Sequence, residues 1–169
     1  MARSKAYPKR ACIQVPRYAP NSLRGLLELI FPDHLLRQKI AETFLEEVRR
    51  RGREGFPEEE WLSFILKFLG NKELEEYYKS LLPRVKEGEI SRTKLQKLIE
   101  EKAQELGLVE DGHNIFNVVK GQYVIVVHQL RKLGMVYKKE GRYYTSPHFG
   151  EVLETIGRFW KDWRAGLVD

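Results

Sequence analysis

The sequence predicts a mainly α protein: an N-terminal helical bundle, a C-terminal half in which helices alternate with short β-prone runs, and a terminal helix. Three observations carry this. Residues 22–82 hold successive stretches with apolar side chains at three-to-four spacing, the period of a helix face. Glycines and prolines fall between these stretches, where helices start and stop. Residues 135–145 change character: Met135-Val136-Tyr137 and Arg142-Tyr143-Tyr144-Thr145 flank the polar turn Lys138-Lys139-Glu140-Gly141, as in a hairpin.

A chain of 169 residues that is 42% apolar can bury one good core or two small ones. Its net charge of +6 and pI near 9.4 favour polyanions, namely nucleic acid or an anionic surface. Cys12 is the only cysteine, so neither an internal disulfide nor a cysteine-based zinc site is expected. The bland reading is an inert thiol in a reducing compartment. No apolar run approaches the ~20 residues that span a bilayer, and the N-terminus lacks the apolar core of a signal peptide. A cytoplasmic protein with no membrane contact is expected. Abundant Lys, Glu and Arg with few Asn, Gln, Met and Cys is the balance associated with thermophile proteins.

Residues 1–21 show no period and read as a basic arm. Arg3, Lys5, Lys9, Arg10 and Arg17 occur with no acid, and Pro8, Pro16 and Pro20 interrupt the run. Two readings stand: an arm that lies along a phosphate backbone, or a solvated terminus.

Residues 22–88 read as the helical bundle. Asn21 or Ser22 caps a helix bearing Leu23, Leu26, Leu27 and Ile30, which Pro32 interrupts. Leu35, Leu36, Ile40, Phe44, Leu45 and Val48 mark the next, ending in Arg49-Arg50-Arg51-Gly52. That triple is a phosphate patch, or simply complements the negative end of the helix dipole. Pro57 sits at an expected first helical position before Glu58-Glu59-Glu60, an acidic first turn that needs no metal to explain it. Trp61 to Leu69 follows as a wide apolar face, closed by Gly70. Asn71 caps a helix that Pro83 closes.

After a charged connector, residues 89–147 form the next unit. Ser91 caps a helix to about Leu106, ended by Gly107. Leu108-Val109 suits a small strand, and Asp111-Gly112 a turn. Asn114 caps a short helix through Val119, and Gly121 marks a turn. Residues 121–133 are expected as a further helix, since Val126, Leu130 and Leu133 keep helical spacing and Lys132 and Gly134 supply a C-terminal signature. A strand competes there, because Tyr123-Val124-Ile125-Val126-Val127 has strong β-propensity.

Helix, short strand, helix, glycine turn, helix and a hairpin with a cationic tip resemble a winged helix-turn-helix domain. The resemblance covers about a third of the chain. It implies that residues 121–133 take the recognition-helix position and 137–143 the wing. It further implies a DNA-binding protein, a transcriptional regulator or an accessory factor for DNA transactions, whose expected partner is double-stranded DNA. Gln122 and Tyr123 would probe the groove, with Gln129 among the remaining polar groups. Lys120, Arg131, Lys132, Lys138, Lys139 and Arg142 would neutralise phosphates, fixing position without reading sequence. The apolar run at 123–127 departs from the pattern of a reading helix. It favours an alternative, a protein–protein interaction module in which the winged helix is the platform.

Residues 148–169 form the terminal helix. Phe149, Leu153, Ile156, Trp160 and Trp163 alternate steps of four and three, a heptad seam that Val152 and Phe159 broaden. A homodimer through this seam is expected; packing onto the chain's own bundle is the competing reading. No catalytic constellation, Walker loop or dinucleotide-binding glycine pattern occurs, and His34, His113, His128 and His148 lack metal-ligand spacing. No enzyme activity, cofactor, metal or small-molecule ligand is expected.

Overall fold

The computed structural model describes residues 19–168, and the fold is mainly helical. The basic-arm residues Arg3, Lys5, Lys9 and Arg10 lie outside the described residues. Helix α1 (Leu23–Ile30) is capped by Ser22, whose hydroxyl accepts from the Gly25 amide at 3.1 Å. Helix α2 (Leu35–Arg51) follows a turn in which Asp33 takes a positive φ. Strand β1 (Phe56–Pro57) and a 3-10 turn at Glu58–Glu60 lead into α3 (Trp61–Leu69), so Pro57 ends a strand and caps the 3-10 turn, one residue before the first helical position expected for it. Asn71 caps α4 (Lys72–Lys86) through the Leu74 amide. Pro83 lies inside α4: it removes one amide donor near the end of the helix, and the last turn continues past it. Ser91 caps α5 (Arg92–Glu105) as expected.

The second half differs from expectation in two places. Strands β2 (Val109–Glu110) and β3 (His113–Asn114) pair only with each other, so residues 108–109 do not supply the strand beside the wing. The helix expected at 114–119 and the one expected at 121–133 are a single helix, α6 (Ile115–Lys132), capped by Asn114. Gly121 does not break it, because Phe116, Val119, Tyr123, Val126, Val127 and Leu130 form one buried stripe that runs straight across it. A mid-helix glycine costs about 1 kcal/mol, far less than that stripe contributes. The competing strand does not form. Strands β4 (Val136–Lys139) and β5 (Arg142–Thr145) make the expected hairpin, but its turn is Glu140 and Gly141 alone, both at positive φ, and Lys138 and Lys139, expected in a cationic turn, extend β4 instead. Helix α7 (His148–Arg164) ends the described chain.

The sheet order is β1-β5-β4. The strand beside the hairpin therefore comes from the N-terminal half, and the segments 22–88 and 89–147 share one sheet. Phe56 pairs with Tyr143 and Pro57 with Arg142. Beneath this sheet α2 packs along α6, and α3 lies against α6 as well. Phe44 of α2 is fully buried at the centre, and the rings of Phe56, Phe64, Tyr123 and Tyr143 all meet it edge-on at 5.6 to 6.0 Å.

Candidate nucleic-acid interface

The pleat divides the hairpin into two faces. Val136, Lys138 and Tyr143 lie on the face toward the core. Tyr137, Lys139, Arg142 and Tyr144 lie on the outer face. This division sorts the expected wing cations. Lys138 is committed to the protein: its ammonium pairs with Glu58 and stands 5.9 Å from the centre of the Tyr143 ring. The Tyr143 hydroxyl also donates to Glu58, at 3.4 Å. Burial pushes the Tyr143 phenol up, as does the Glu58 carboxylate, while Lys138 and Arg131 pull it the other way. Arg131, in the last turn of α6, thus lies close to the same cluster.

The outer face is different. Tyr137 and Tyr144 stack across the strands with centroids 5.3 Å apart, and Tyr137 is 47% exposed. Lys139 and Arg142 form the next cross-strand pair toward the tip, and both are exposed. Arg142 donates to the Glu54 carbonyl at 2.9 Å, which brings the end of α2 to the hairpin. There Arg50, Arg51, Arg53 and Glu54 line an open polar hollow. Arg50 and Arg51 are held by Glu47, and Arg51 also by Glu60 at 2.5 Å, whereas Arg53 is exposed. Bonding to Arg50 keeps the Glu47 carboxyl below its ordinary range. Tyr137, Tyr144 and Arg53 are not among the contact residues expected from the sequence. Tyr137 and Tyr144 were legible as alternate positions of a hairpin; Arg53 was not, because only tertiary packing brings it near.

On α6 the expected groove-probing residues are not free. Tyr123 is buried against Phe44 and Phe64, which removes it from any interface. Gln122 accepts from the Arg37 guanidinium at 2.7 Å. Lys120 leans over the Trp61 ring at 6.0 Å, and Gln129 is half-buried. The outer face of α6 instead carries Val118, Gly121, Val124, Ile125 and His128, and only at its end Arg131 and Lys132.

The charge distribution is uneven along the chain. Residues 1–18 hold five of the six net positive charges, so residues 19–169 together carry only +1. Against that background Arg131, Lys132, Lys138, Lys139 and Arg142 fall within twelve residues that contain one acid, Glu140. Among the described residues no three His, Cys, Asp or Glu side chains gather as a metal site, and no helix is long and apolar enough to cross a membrane. The chain matches no protein-family model, no curated protein and no solved structure.

Proposed function

We propose that the protein binds duplex DNA through its phosphate backbone, using the outer face of the β4–β5 hairpin and the last turn of α6, without reading base sequence. The observation that carries this is the outer hairpin face, where Lys139 and Arg142 stand beside the exposed Tyr137 and Arg142 reaches the carbonyl of Glu54, the residue after Arg53. Lysine, arginine and the tyrosine hydroxyl are all phosphate donors. The path α2, β1, α3, α6, β4, β5 supports the winged-helix reading. It follows the order helix, short strand, helix, helix, hairpin, with α4, α5 and the β2–β3 hairpin inserted before the last helix. The absence of sequence reading follows from α6, whose exposed face offers Val118, Gly121, Val124 and Ile125, while Asn117, Lys120 and Gln122 are engaged by Glu100, Trp61 and Arg37. The test is fluorescence anisotropy with a labelled duplex across a salt series. Backbone binding through about four cations gives a log–log slope near −4 and little difference between sequences. No retention of duplex at low salt would sink the proposal. Preference for a single strand would move the principal contact from phosphate to the Tyr137 ring.

One observation favours a second reading, a protein-binding platform. Val124 is 61% exposed in mid-helix and forms an apolar stripe with Val118 and Ile125. Val124→Asp separates the readings, because it leaves phosphate binding nearly unchanged and disables a protein contact centred on α6.

A further inference from the structure

Helix α7 buries none of its residues, yet it is strongly two-faced. Val152, Leu153, Ile156, Phe159, Trp160 and Trp163 are each 40 to 58% exposed on one side. Trp160 and Trp163 stack on each other at 5.1 Å and on nothing else among the described residues. The apolar surface left open is on the order of 700 Å². That approaches the ~800 Å² per partner of a standard stable interface.

We infer that α7 pairs with α7 of a second copy of this chain, antiparallel, with the two-fold axis passing at Ile156. This inference is independent of nucleic-acid binding. Three features of the chain select the occupant and its direction.

The first is charge. The N-terminal half of α7 carries Glu151 and Glu154, and the C-terminal half carries Arg158, Lys161 and Arg164 against Asp162 alone. A parallel pair sets like against like. An antiparallel pair centred on Ile156 sets the acidic half of each helix beside the basic half of the other, a long-range preference, since Glu151, Glu154, Arg158 and Lys161 lie on the side of α7 away from Ile156. It also opposes the helix dipoles favourably.

The second is the seam. With Ile156 on the axis, Val152 comes level with Trp160 of the second copy, Leu153 with its Phe159 and Phe149 with its Trp163, so two of the bulky rings face a smaller aliphatic partner. Gly150 and Gly157 lie one heptad apart along one edge of this seam. Among the described residues a Cβ at either position would meet nothing, so the packing of the described chain does not require them to be glycine. Gly157, beside the axis and level with Thr155 of the second copy, lets the two backbones approach closely.

The third is the root of the helix. Leu23, Leu45, Met135, Pro147, Phe149 and Gly150 line an apolar groove there. The antiparallel arrangement delivers the far end of the second copy's helix, with Trp163 and the 73% exposed Leu167, to this groove. A parallel pair leaves it empty.

The full chain examined by sedimentation equilibrium at tens of micromolar is expected to be a dimer. Ile156→Glu sets two carboxylates against each other on the axis and is expected to weaken the dimer at least ~100-fold. Its thermal melt by circular dichroism checks that the body still folds, which is expected because α7 contributes nothing to the core. Direction is read with a spin label on Ala165→Cys in a Cys12→Ser background. Antiparallel helices place the two labels roughly 30 Å apart, from the axial rise over eighteen residues; parallel helices place them about 10 Å apart. A monomer, including one whose seam is covered by its own residues 1–18, overturns the inference. So does a dimer indifferent to Ile156→Glu, or a short label distance.

Discussion

Phe56 and Tyr143 stand opposite one another across the β1–β5 ladder, and both rings meet Phe44 edge-on at 5.6 Å. One residue of α2 therefore ties a strand from the first half of the chain to a hairpin in the second. Phe44→Ala is expected to cost about 3–5 kcal/mol and to lower the stability of both halves together. Urea unfolding followed by tryptophan fluorescence and by far-ultraviolet circular dichroism should give coincident transitions in the wild type and the variant. Two separate transitions, with only one moved by Phe44→Ala, would show that residues 22–88 and 89–147 fold apart.

Gly55 is where β1 passes under the hairpin. It has a φ of +67°, and a Cβ there would stand 2.6 Å from the Tyr144 ring and 3.1 Å from the Tyr143 carbonyl oxygen. Gly52 has a φ of +50° with open space around it. Gly52→Ala should cost only the strain of that glycine-favouring backbone, about 1–3 kcal/mol. Gly55→Ala adds a clash with a ring already stacked on Tyr137, and overpacking costs a further ~1–3 kcal/mol. The two variants compared by chemical denaturation should differ in that order. Equal costs would mean that Tyr144 moves aside freely and does not pin the hairpin to β1.

Local signals in the sequence located most elements and missed how they join. Ser22, Asn71, Ser91 and Asn114 cap the helices they were expected to cap, because capping is decided within three residues. The hairpin follows from Glu140-Gly141 and its β-prone flanks for the same reason. Gly121 misled, since a glycine reads as a stop unless the buried stripe on both sides of it is weighed as one. β1 was invisible: two residues, Phe56 and Pro57, show no period, and their partner lies in the other half of the chain. Lys138 and Lys139 look alike in sequence, and only the pleat tells them apart. Tyr123 shows the same limit, for its burial is set by Phe44 and Phe64 on other helices.

Tyr123 makes a prediction in alkali. Burial, then Tyr143 and Glu58, push its phenol well above the ordinary value of 10.0, and Tyr143 is raised as well. A folded-state value above the unfolded one means that the neutral phenol is favoured by folding. That stability is complete below about pH 10 and is lost as the pH climbs toward the folded-state value. The urea midpoint should hold between pH 7 and 9 and fall by pH 11. Tyr123→Phe keeps the ring in place and has no proton to lose, so its midpoint should fall less. An equal fall in both proteins would place the alkaline sensitivity elsewhere.

Lys138 and Lys139 are adjacent in the chain, yet opposite consequences are expected from removing them. Lys138→Ala breaks the pair with Glu58 and uncovers the Tyr143 ring, a loss of about 0.5–1 kcal/mol for a partly exposed contact. Its ammonium is already engaged, so duplex binding should change little. Lys139→Ala removes an exposed cation of the outer face. Stability should stay within about 0.5 kcal/mol, while the salt slope of duplex binding drops by about 1. Glu58→Gln completes the set: it deletes a negative charge beside the hairpin and releases Lys138, so binding should tighten while stability falls. Anisotropy and urea titrations on the three variants measure both quantities at once. If Lys138→Ala weakens binding as much as Lys139→Ala, the nucleic-acid contact is not confined to the outer face of the sheet, and the division made by the pleat does not decide function.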